Sequence, residues 1–174
     1  GKTIFGDRFL MNTNALHVDR QSAVGLEMNL IERVCVGDII QRSADVYPDR
    51  VAVVDGDREV SYQQLNTLVD RLGHALLGLG LKHQDVVALA SRNALEMLVT
   101  YFACARAGLI CMPVNLGLRA NEIAFCLRDA QARVMIAEAA LQEMVQVAMK
   151  EGPDELQRVF RFGAEAVSPQ EDFD

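Results

Sequence analysis

The sequence predicts an α/β domain of three layers, in which a mainly parallel sheet is covered by helices on both faces. Short apolar runs alternate with segments of helical periodicity from residue 51 to residue 150, and short connections join them. The run at 85–90 is apolar almost throughout, which is typical of a parallel strand buried on both sides, and 109–114 is the next predicted strand. Helices between such strands predict right-handed crossovers.

Regular patterning starts near residue 33 and divides the chain into three parts. Residues 1–32 show no sustained period, and we expect an N-terminal extension that is ordered only by docking on the body. Residues 33–163 form the predicted α/β subdomain. Residues 164–174 are acidic and irregular, which predicts a linker.

The first elements of the subdomain are a short helix and a hairpin. Apolar residues of 39–47 recur on one helix face, and Pro48 ends that helix. The β-branched run at 51–54 predicts a strand. The Asp-Gly-Asp turn at 55–57 then predicts a hairpin in which 58–60 pair back on that strand.

Ser61 begins the clearest helix of the sequence. Ser61 and Gln64 fit a capping box, in which the hydroxyl and the amide each satisfy a backbone N–H at the helix start. Leucine and valine then recur at helical spacing. Gly78 and Gly80 predict the helix end, and they do not form a dinucleotide loop because the preceding strand and the third glycine are missing.

The remaining segments repeat the order of strand and helix. The helix predicted over 94–107 is apolar nearly all round, so it should be deeply buried, and Asn93 with Glu96 is its predicted cap. Beyond it, the pattern predicts a strand at 109–114, a helix around Ile123–Leu127, a strand at 134–137, a helix over 141–149 and an edge strand at 158–162.

Composition excludes several classes of protein. The 174 residues carry a net charge of −7, and lysine occurs only at Lys2, Lys82 and Lys150, so we expect no binding of nucleic acid. No apolar run approaches the roughly 20 residues that span a bilayer, and no secretion signal is visible at the N-terminus. We therefore expect a cytoplasmic protein without a transmembrane segment.

The cysteines do not indicate a metal centre. The chain has four cysteines and three histidines, and no two cysteines form a C-x-x-C pair. A structural zinc site needs clustered ligands, so we predict no metal site in this sequence. Apolar neighbours favour buried free thiols in a reducing compartment.

Five segments in order resemble motifs of the adenylate-forming superfamily, which includes acyl-CoA synthetases, fatty-acyl-AMP ligases, luciferases and peptide-synthetase adenylation domains. The match covers roughly residues 33 to 140. Gln84 departs from the family, which usually has glycine there, and Arg119 stands where a capping Thr or Ser is common. The matching segments are Ser61–Leu65, Gly80–Ala88, Asn93–Glu96, Ala107–Asn115 and Leu118–Asp129.

The resemblance implies a reaction in two steps. ATP and a carboxylate give an acyl-adenylate and pyrophosphate, and a thiol, usually that of coenzyme A, then takes the acyl group. The resemblance thus implies ATP, Mg²⁺ and coenzyme A as cofactors. Mg²⁺ and a lysine are needed because they must neutralise the leaving pyrophosphate. Among these enzymes the chain is most similar to fatty-acid–CoA ligases, so a fatty acid is the expected substrate of the parent enzyme.

The chemical motifs of the family are missing from this chain. No Ser/Thr/Gly-rich loop ending in Pro-Lys-Gly occurs, and the family's adenine motif, ribose-binding Asp and catalytic Lys come later in the family order. Gly1-Lys2-Thr3 only imitates the end of another phosphate loop. We therefore assign no catalytic residue and expect the chain alone to be inactive.

Six residues are candidates for a site. Asp85 and Glu96 favour turn and helix-dipole roles over chemistry. His74 is expected on a partly exposed helix flank, without a partner that would make it a base. Arg92 follows a strand and favours a solvated side chain over an anion contact. The resemblance places Gly117 and Arg119 towards the coenzyme A entrance.

Three hypotheses remain. The first is the front subdomain of an acyl-CoA synthetase, which acts as a scaffold for the rest of its own chain. The second is the same part of a fatty-acyl-AMP ligase or an aryl-CoA ligase. The third is a stand-alone α/β binding domain without catalysis. The first also predicts exposed apolar surface and self-association, including a homodimer.

Overall fold

The structure is a computed structural model, and it describes residues 35–150, 152–156 and 158–163. The predicted extension at 1–32 and the predicted linker at 164–174 lie outside the described residues. In the part described, no helix is both long enough and apolar enough to cross a membrane.

The described chain alternates helices and strands after one short helix and a hairpin. Two short 3₁₀ turns, Val36–Asp38 and Ala139–Leu141, precede helices. The helices are α1 (Ile39–Val46), α2 (Tyr62–Gly78), α3 (Leu95–Ala107), α4 (Ala120–Asp129) and α5 (Gln142–Lys150). The strands are β1 (Val51–Asp55), β2 (Arg58–Ser61), β3 (Val86–Ala90), β4 (Ile110–Pro113), β5 (Ala132–Glu138) and β6 (Arg158–Phe162).

Strands β3 to β6 form one parallel sheet in the order β4-β3-β5-β6. Val87 in β3 lies opposite Cys111 in β4 and Val134 in β5. Among the strands that the structure describes, β6 pairs with β5 alone, which agrees with the predicted edge strand. The parallel sheet predicted from the sequence is therefore present.

The two faces of the sheet are covered by different helices. Val87 and Leu89 pack with residues of α1, α2 and α3, whereas Ala88 and Ala90 pack with residues of α4 and α5. Alternate residues of β3 thus enter two separate cores, which is why the strand is apolar throughout. The arrangement confirms the predicted three layers.

Strands β1 and β2 form a separate two-stranded sheet. The sequence pattern placed the 51–54 strand in the same series as the later strands, and the structure differs here. Gly56 adopts a positive φ of 59° at the turn, so β1 folds back on β2. Ala52 and Val53 of the hairpin then pack on the core beside α2 and α3, and β3 pairs with β4 and β5 instead.

Helix α2 begins as its sequence predicts. The Ser61 hydroxyl accepts from Gln64 N at 3.3 Å, and Gln64 Oε1 accepts from Ser61 N at 2.8 Å. Gly78 is its last residue, and Gly80 follows with φ 87°. The four leucine and valine side chains that face the core are buried: Leu65, Val69, Leu72 and Leu76.

Helix α3 is central, but its predicted cap is wrong. None of its thirteen residues is fully exposed, which confirms deep burial. Ala94 occupies the N-cap position, and the side chain of Asn93 does not cap the helix. Instead, Asp55 Oδ2 of the hairpin accepts from Leu95 N at 3.0 Å. The cap therefore comes from a residue 40 positions away, which local patterning does not detect.

Candidate functional site

The carboxyl edge of the parallel sheet is the candidate functional site. Strands β3, β4 and β5 end there at Ala90, Pro113 and Glu138. The chain leaves β3 towards α3 on one face, and it leaves β4 and β5 towards α4 and α5 on the other face. Neighbouring connections that diverge in this way open a crevice, and open α/β sheets bind ligands at such points.

Arg92 and Glu138 bridge the ends of β3 and β5. Arg92 Nε lies 3.1 Å from Glu138 Oε2, the backbone N of Arg92 lies 3.2 Å from the same oxygen, and Arg92 Nη2 binds Glu138 Oε1. The Arg92 side chain remains 64% exposed, and that of Glu138 is 17% exposed. The fork of the guanidinium thus joins the ends of these two strands at the carboxyl edge.

The charges of this pair stabilise each other. The hydrogen bond from Arg92 lowers the pKa of Glu138 below its usual range, and the hydrogen bond to Glu138 raises the pKa of Arg92. Both groups stay ionised near neutral pH. The prediction of a solvated Arg92 side chain is correct for its exposure, but the guanidinium also has a fixed carboxylate partner within the chain.

Sequence reasoning missed Glu138. The signal was present, because an acidic residue follows the apolar run at 134–137 directly. The carboxyl ends of adjacent parallel strands meet at one edge, so this acid and Arg92 should lie close together if β3 and β5 are neighbours. Only the strand order shows that they are neighbours.

Gly117 and Arg119 follow β4 at the same edge. Gly117 N donates to Asn115 Oδ1 at 2.9 Å, and Leu118 N donates to Asn115 O at 3.2 Å, which closes a tight turn. A Cβ on Gly117 would lie 3.3 Å from Asn115 Oδ1, so a side chain there would push this oxygen away by a few tenths of an ångström. Gly117 and Arg119 are both exposed to solvent.

Arg119 also occupies the N-cap position of α4. Glu122 Oε2 accepts from Arg119 N at 2.7 Å, which is half of a capping box. The guanidinium has no acceptor atom for a helix N–H, so the other half is missing. Arg119 therefore weakens the helix start, as its sequence position predicts, and presents its side chain at the carboxyl edge.

The other candidates have structural partners outside the Arg92–Glu138 pair and the turn at Gly117. Asp85 Oδ2 accepts from Lys82 N at 2.7 Å in the turn before β3, at the amino edge of the sheet. Glu96 Oε1 lies 2.6 Å from Arg58 Nη1 of the hairpin. His74 is exposed, and its Nδ1 lies 2.8 Å from Asp70 O one turn earlier. These contacts agree with the turn, helix-start and flank roles expected from the sequence.

The described residues offer no site for Mg²⁺ or for the pyrophosphate of ATP, but they suit the phosphates of coenzyme A. Over these residues, no three His, Cys, Asp or Glu side chains cluster to hold a metal ion. Of the lysines placed by the structure, Lys82 lies at the amino edge and Lys150 ends α5, so neither can neutralise a pyrophosphate at the carboxyl edge. The exposed Gly117 turn and Arg119 suit an anionic group such as the phosphates of coenzyme A.

Comparison with known proteins gives a consistent result. A family model described as AMP-binding enzyme matches residues 40–172. The indoleacetate–CoA ligase of Aromatoleum aromaticum is 40% identical over 99 residues, which are 57% of this chain and 19% of that protein. A medium/long-chain-fatty-acid–CoA/3-oxocholest-4-en-26-oate–CoA ligase of Mycolicibacterium smegmatis is 28% identical over 119 residues, 68% of this chain and 22% of that protein.

Solved structures extend the similarity to the fold. A putative long-chain-fatty-acid CoA ligase from Rhodopseudomonas palustris superposes with a TM-score of 0.72 at 28% identity, covering 79% of this chain and 35% of that chain. The present chain thus spans only about a fifth to a third of the lengths of these relatives.

Proposed function

The chain belongs to the AMP-binding enzyme family, and we propose that it provides the first α/β subdomain of an ATP-dependent acid–thiol ligase. The observation that carries the proposal is the family match over residues 40–172, which includes all six strands and nearly all of the helices of the three-layer unit. The chain supplies framework in this proposal: one sheet, its helices and a carboxyl edge that faces the rest of the enzyme.

The parent enzyme would join a carboxylic acid to a thiol through an acyl-adenylate. In the parent enzyme ATP would supply the adenylyl group and coenzyme A the thiol, and Mg²⁺, when bound, would offset the charge of the pyrophosphate. The residues of this chain bind and orient in that scheme. The Arg92–Glu138 pair fixes the loop after β3 against the end of β5, so the wall of the crevice keeps its shape. The isolated chain would be inactive.

Gly117 and Arg119 are the proposed contacts to coenzyme A. The guanidinium of Arg119 is exposed at the carboxyl edge and suits a phosphate group. Gly117 has no side chain to obstruct an approach to the turn that Asn115 holds. The electrostatic part of this contact should weaken with salt, since the site is exposed.

A fatty acid is the proposed substrate of the parent enzyme, in line with the names of the relatives from Mycolicibacterium and Rhodopseudomonas. The similarity to an indoleacetate–CoA ligase favours an aryl acid as the second candidate. A cytoplasmic location and a homodimer are also proposals. Ile110 and Phe125 are 47% and 60% exposed, so further parts of the enzyme or a second copy could cover them.

The coding region downstream of Asp174 tests the proposal most cheaply. We expect it to encode a Ser/Thr/Gly-rich loop that ends in Pro-Lys-Gly, followed by the remaining motifs of the family. A stop codon directly after Asp174 would support the stand-alone α/β binding domain instead.

The coenzyme A contact is tested in the longer enzyme with Arg119→Glu. We expect the KM for coenzyme A to rise about tenfold, the effect of roughly 1.4 kcal/mol, while the KM for ATP stays unchanged. Arg71→Glu makes the same change of charge on the exposed side of α2 and should leave both constants unchanged. An unchanged KM for coenzyme A in Arg119→Glu would remove Arg119 from the site and leave the family assignment intact.

A further inference from the structure

Two of the cysteines that the structure describes meet beneath α3. Cys104 lies on α3 and is completely buried, and Cys111 lies on β4 and is half-buried. Both belong to the core on the α1–α3 face of the sheet. Cys126 is on α4, which covers the opposite face, and Cys35 is exposed at the start of the described chain.

Backbone geometry brings the two thiols together. Leu109 N donates to Cys104 O at 2.8 Å, so the chain reverses immediately after α3. Side chains two residues apart on an extended strand point the same way. Leu109 is buried, so Cys111 lies on the same side of β4 as Leu109, which is the side that faces the helix. On the neighbouring strand, Cys111 lies opposite the core residue Val87. Cys111 packs on the core that contains Cys104, which places the two thiols close enough to interact.

The environment makes the two sulfur atoms unequal. The hydrogen bond that Cys104 donates stabilises the thiolate of Cys111 and lowers the pKa of Cys111. The same hydrogen bond, together with burial, raises the pKa of Cys104. Tyr101 lies one helical turn before Cys104, and its phenol pKa is raised by burial and by the charge of Cys111. The more accessible thiol is thus also the better nucleophile.

We propose that Cys104 and Cys111 are a redox modification site, which forms a reversible intramolecular disulfide by exchange with a small disulfide such as oxidised glutathione. The Cys111 thiolate attacks one sulfur of the glutathione disulfide, and one glutathione thiolate leaves. Cys104 then loses its proton to solvent and attacks the Cys111 sulfur of the mixed disulfide, which releases the second glutathione. The protein loses two hydrogens in total, and one glutathione disulfide becomes two thiols.

Both side chains pack in the same core, so the disulfide needs only an approach of these two side chains. The crosslink would fix the end of α3 to β4, the strand that leads into the turn at Gly117. The proposal concerns a modification of this chain and does not depend on the substrate or the cofactors proposed above.

Peptide mapping of the 174-residue chain tests the proposal. Arg92, Arg106 and Arg119 are the basic residues that bracket the two cysteines, so trypsin places Cys104 in 93–106 and Cys111 in 107–119. After incubation with oxidised glutathione at neutral pH and alkylation of free thiols, we expect these two peptides to be linked by a disulfide. Dithiothreitol should separate them again.

Single variants distinguish the two roles. Cys104→Ala should trap glutathione on Cys111, because the resolving thiol is missing. Cys111→Ala should leave Cys104 reduced, and Cys126→Ser, the matched control on the other face, should form the linked peptides as the original chain does. Circular dichroism checks that each variant is folded.

The map of the unmodified chain decides the matter even if a variant does not fold. Separate, fully alkylated 93–106 and 107–119 peptides, under conditions in which the exposed Cys35 carries glutathione, would overturn the proposal. Linkage of either cysteine to Cys126 would also overturn it, because it would show unfolding before exchange.

Discussion

Helices α2 and α3 pack side by side, yet they begin in different ways. Ser61 and Gln64 cap α2 from within its own sequence, through hydrogen bonds of 3.3 and 2.8 Å. Helix α3 has no such side chain, and the carboxylate of Asp55 reaches its first amide from the hairpin. A cap among sequence neighbours can be recognised from spacing, whereas a cap supplied by the fold exists only after the fold has formed.

Arg58 extends the contact between the hairpin and α3. Its guanidinium binds Asp55 on the hairpin, and its Nη1 lies 2.6 Å from Glu96 in the first turn of α3. Glu96 is suited to that place, because acidic side chains stabilise helix N-termini. A variant that removes the Asp55 cap should therefore disrupt both the first turn of α3 and the packing of the hairpin on it. A variant that removes the Ser61 cap should disrupt only the first turn of α2.

The largest effect is expected for Asp55→Ala. A buried amide left without an acceptor costs about 1–3 kcal/mol, and Leu95, whose amide loses its partner, is 6% exposed. Urea denaturation followed by circular dichroism should therefore show a lower midpoint than for any other variant below. Asp57→Ala is the matched control, since Asp57 is exposed in the same turn, and it should remain within about 0.5 kcal/mol of the original chain.

Acid should weaken the same contact. The amide of Leu95 and the guanidinium of Arg58 lower the pKa of Asp55 in the folded chain. Since the unfolded chain binds this proton more readily, the stabilisation is present above about pH 4 and is lost as the pH falls through the lowered pKa. Stability measured between pH 6 and pH 3 should fall less steeply in Asp55→Asn. The slope should not vanish, because Glu138 also has a lowered pKa. Equal slopes would contradict the cap.

Ser61→Ala should have the next largest effect. Loss of the hydroxyl that accepts from Gln64 N should destabilise the chain by about 1 kcal/mol, measured by the same denaturation. Ser61→Asp keeps an acceptor at this position and should restore most of the loss. A loss equal to that of Asp55→Ala, with the hairpin contacts also broken in amide exchange, would mean that the two caps are not independent.

Arg119→Ser should convert the start of α4 into one like that of α2. The serine hydroxyl would accept from the helix amide that arginine cannot serve, while Glu122 keeps its bond to the backbone N of residue 119. We expect a gain of about 0.5–1 kcal/mol. Arg119→Ala is the control and should give no such gain.

The smallest effect is expected for Gln84→Gly. Gln84 adopts a φ of 69°, although it is not glycine, and its N donates to Gly108 O at 2.8 Å in the turn before β3. Glycine relieves the strain of the left-handed conformation, so stability should rise by about 0.5 kcal/mol. Gln63→Gly, in the first turn of α2, should instead lower it. A loss in Gln84→Gly would show that the glutamine side chain stabilises this turn.

These cases show what the sequence could predict. Strand and helix periods located the elements from residue 39 to residue 162, and the Gly expected by the family at position 84 agrees with the observed φ. The cap of α3 was placed on Asn93 and the role of Glu138 was missed, because both depend on which elements become neighbours. The exposed positions of Gly117 and Arg119 agree with a site at the carboxyl edge, and their contact to coenzyme A stays a prediction.

The central claim is that this chain is framework for chemistry performed elsewhere in the enzyme. Acid-dependent ATP–pyrophosphate exchange tests it most directly, with the purified 174-residue chain, Mg²⁺, and fatty and aromatic acids. The account predicts no exchange above the blank without protein, while a longer protein that carries the Pro-Lys-Gly loop exchanges readily under the same conditions. Robust exchange by the purified 174-residue chain, dependent on a carboxylic acid, would contradict it.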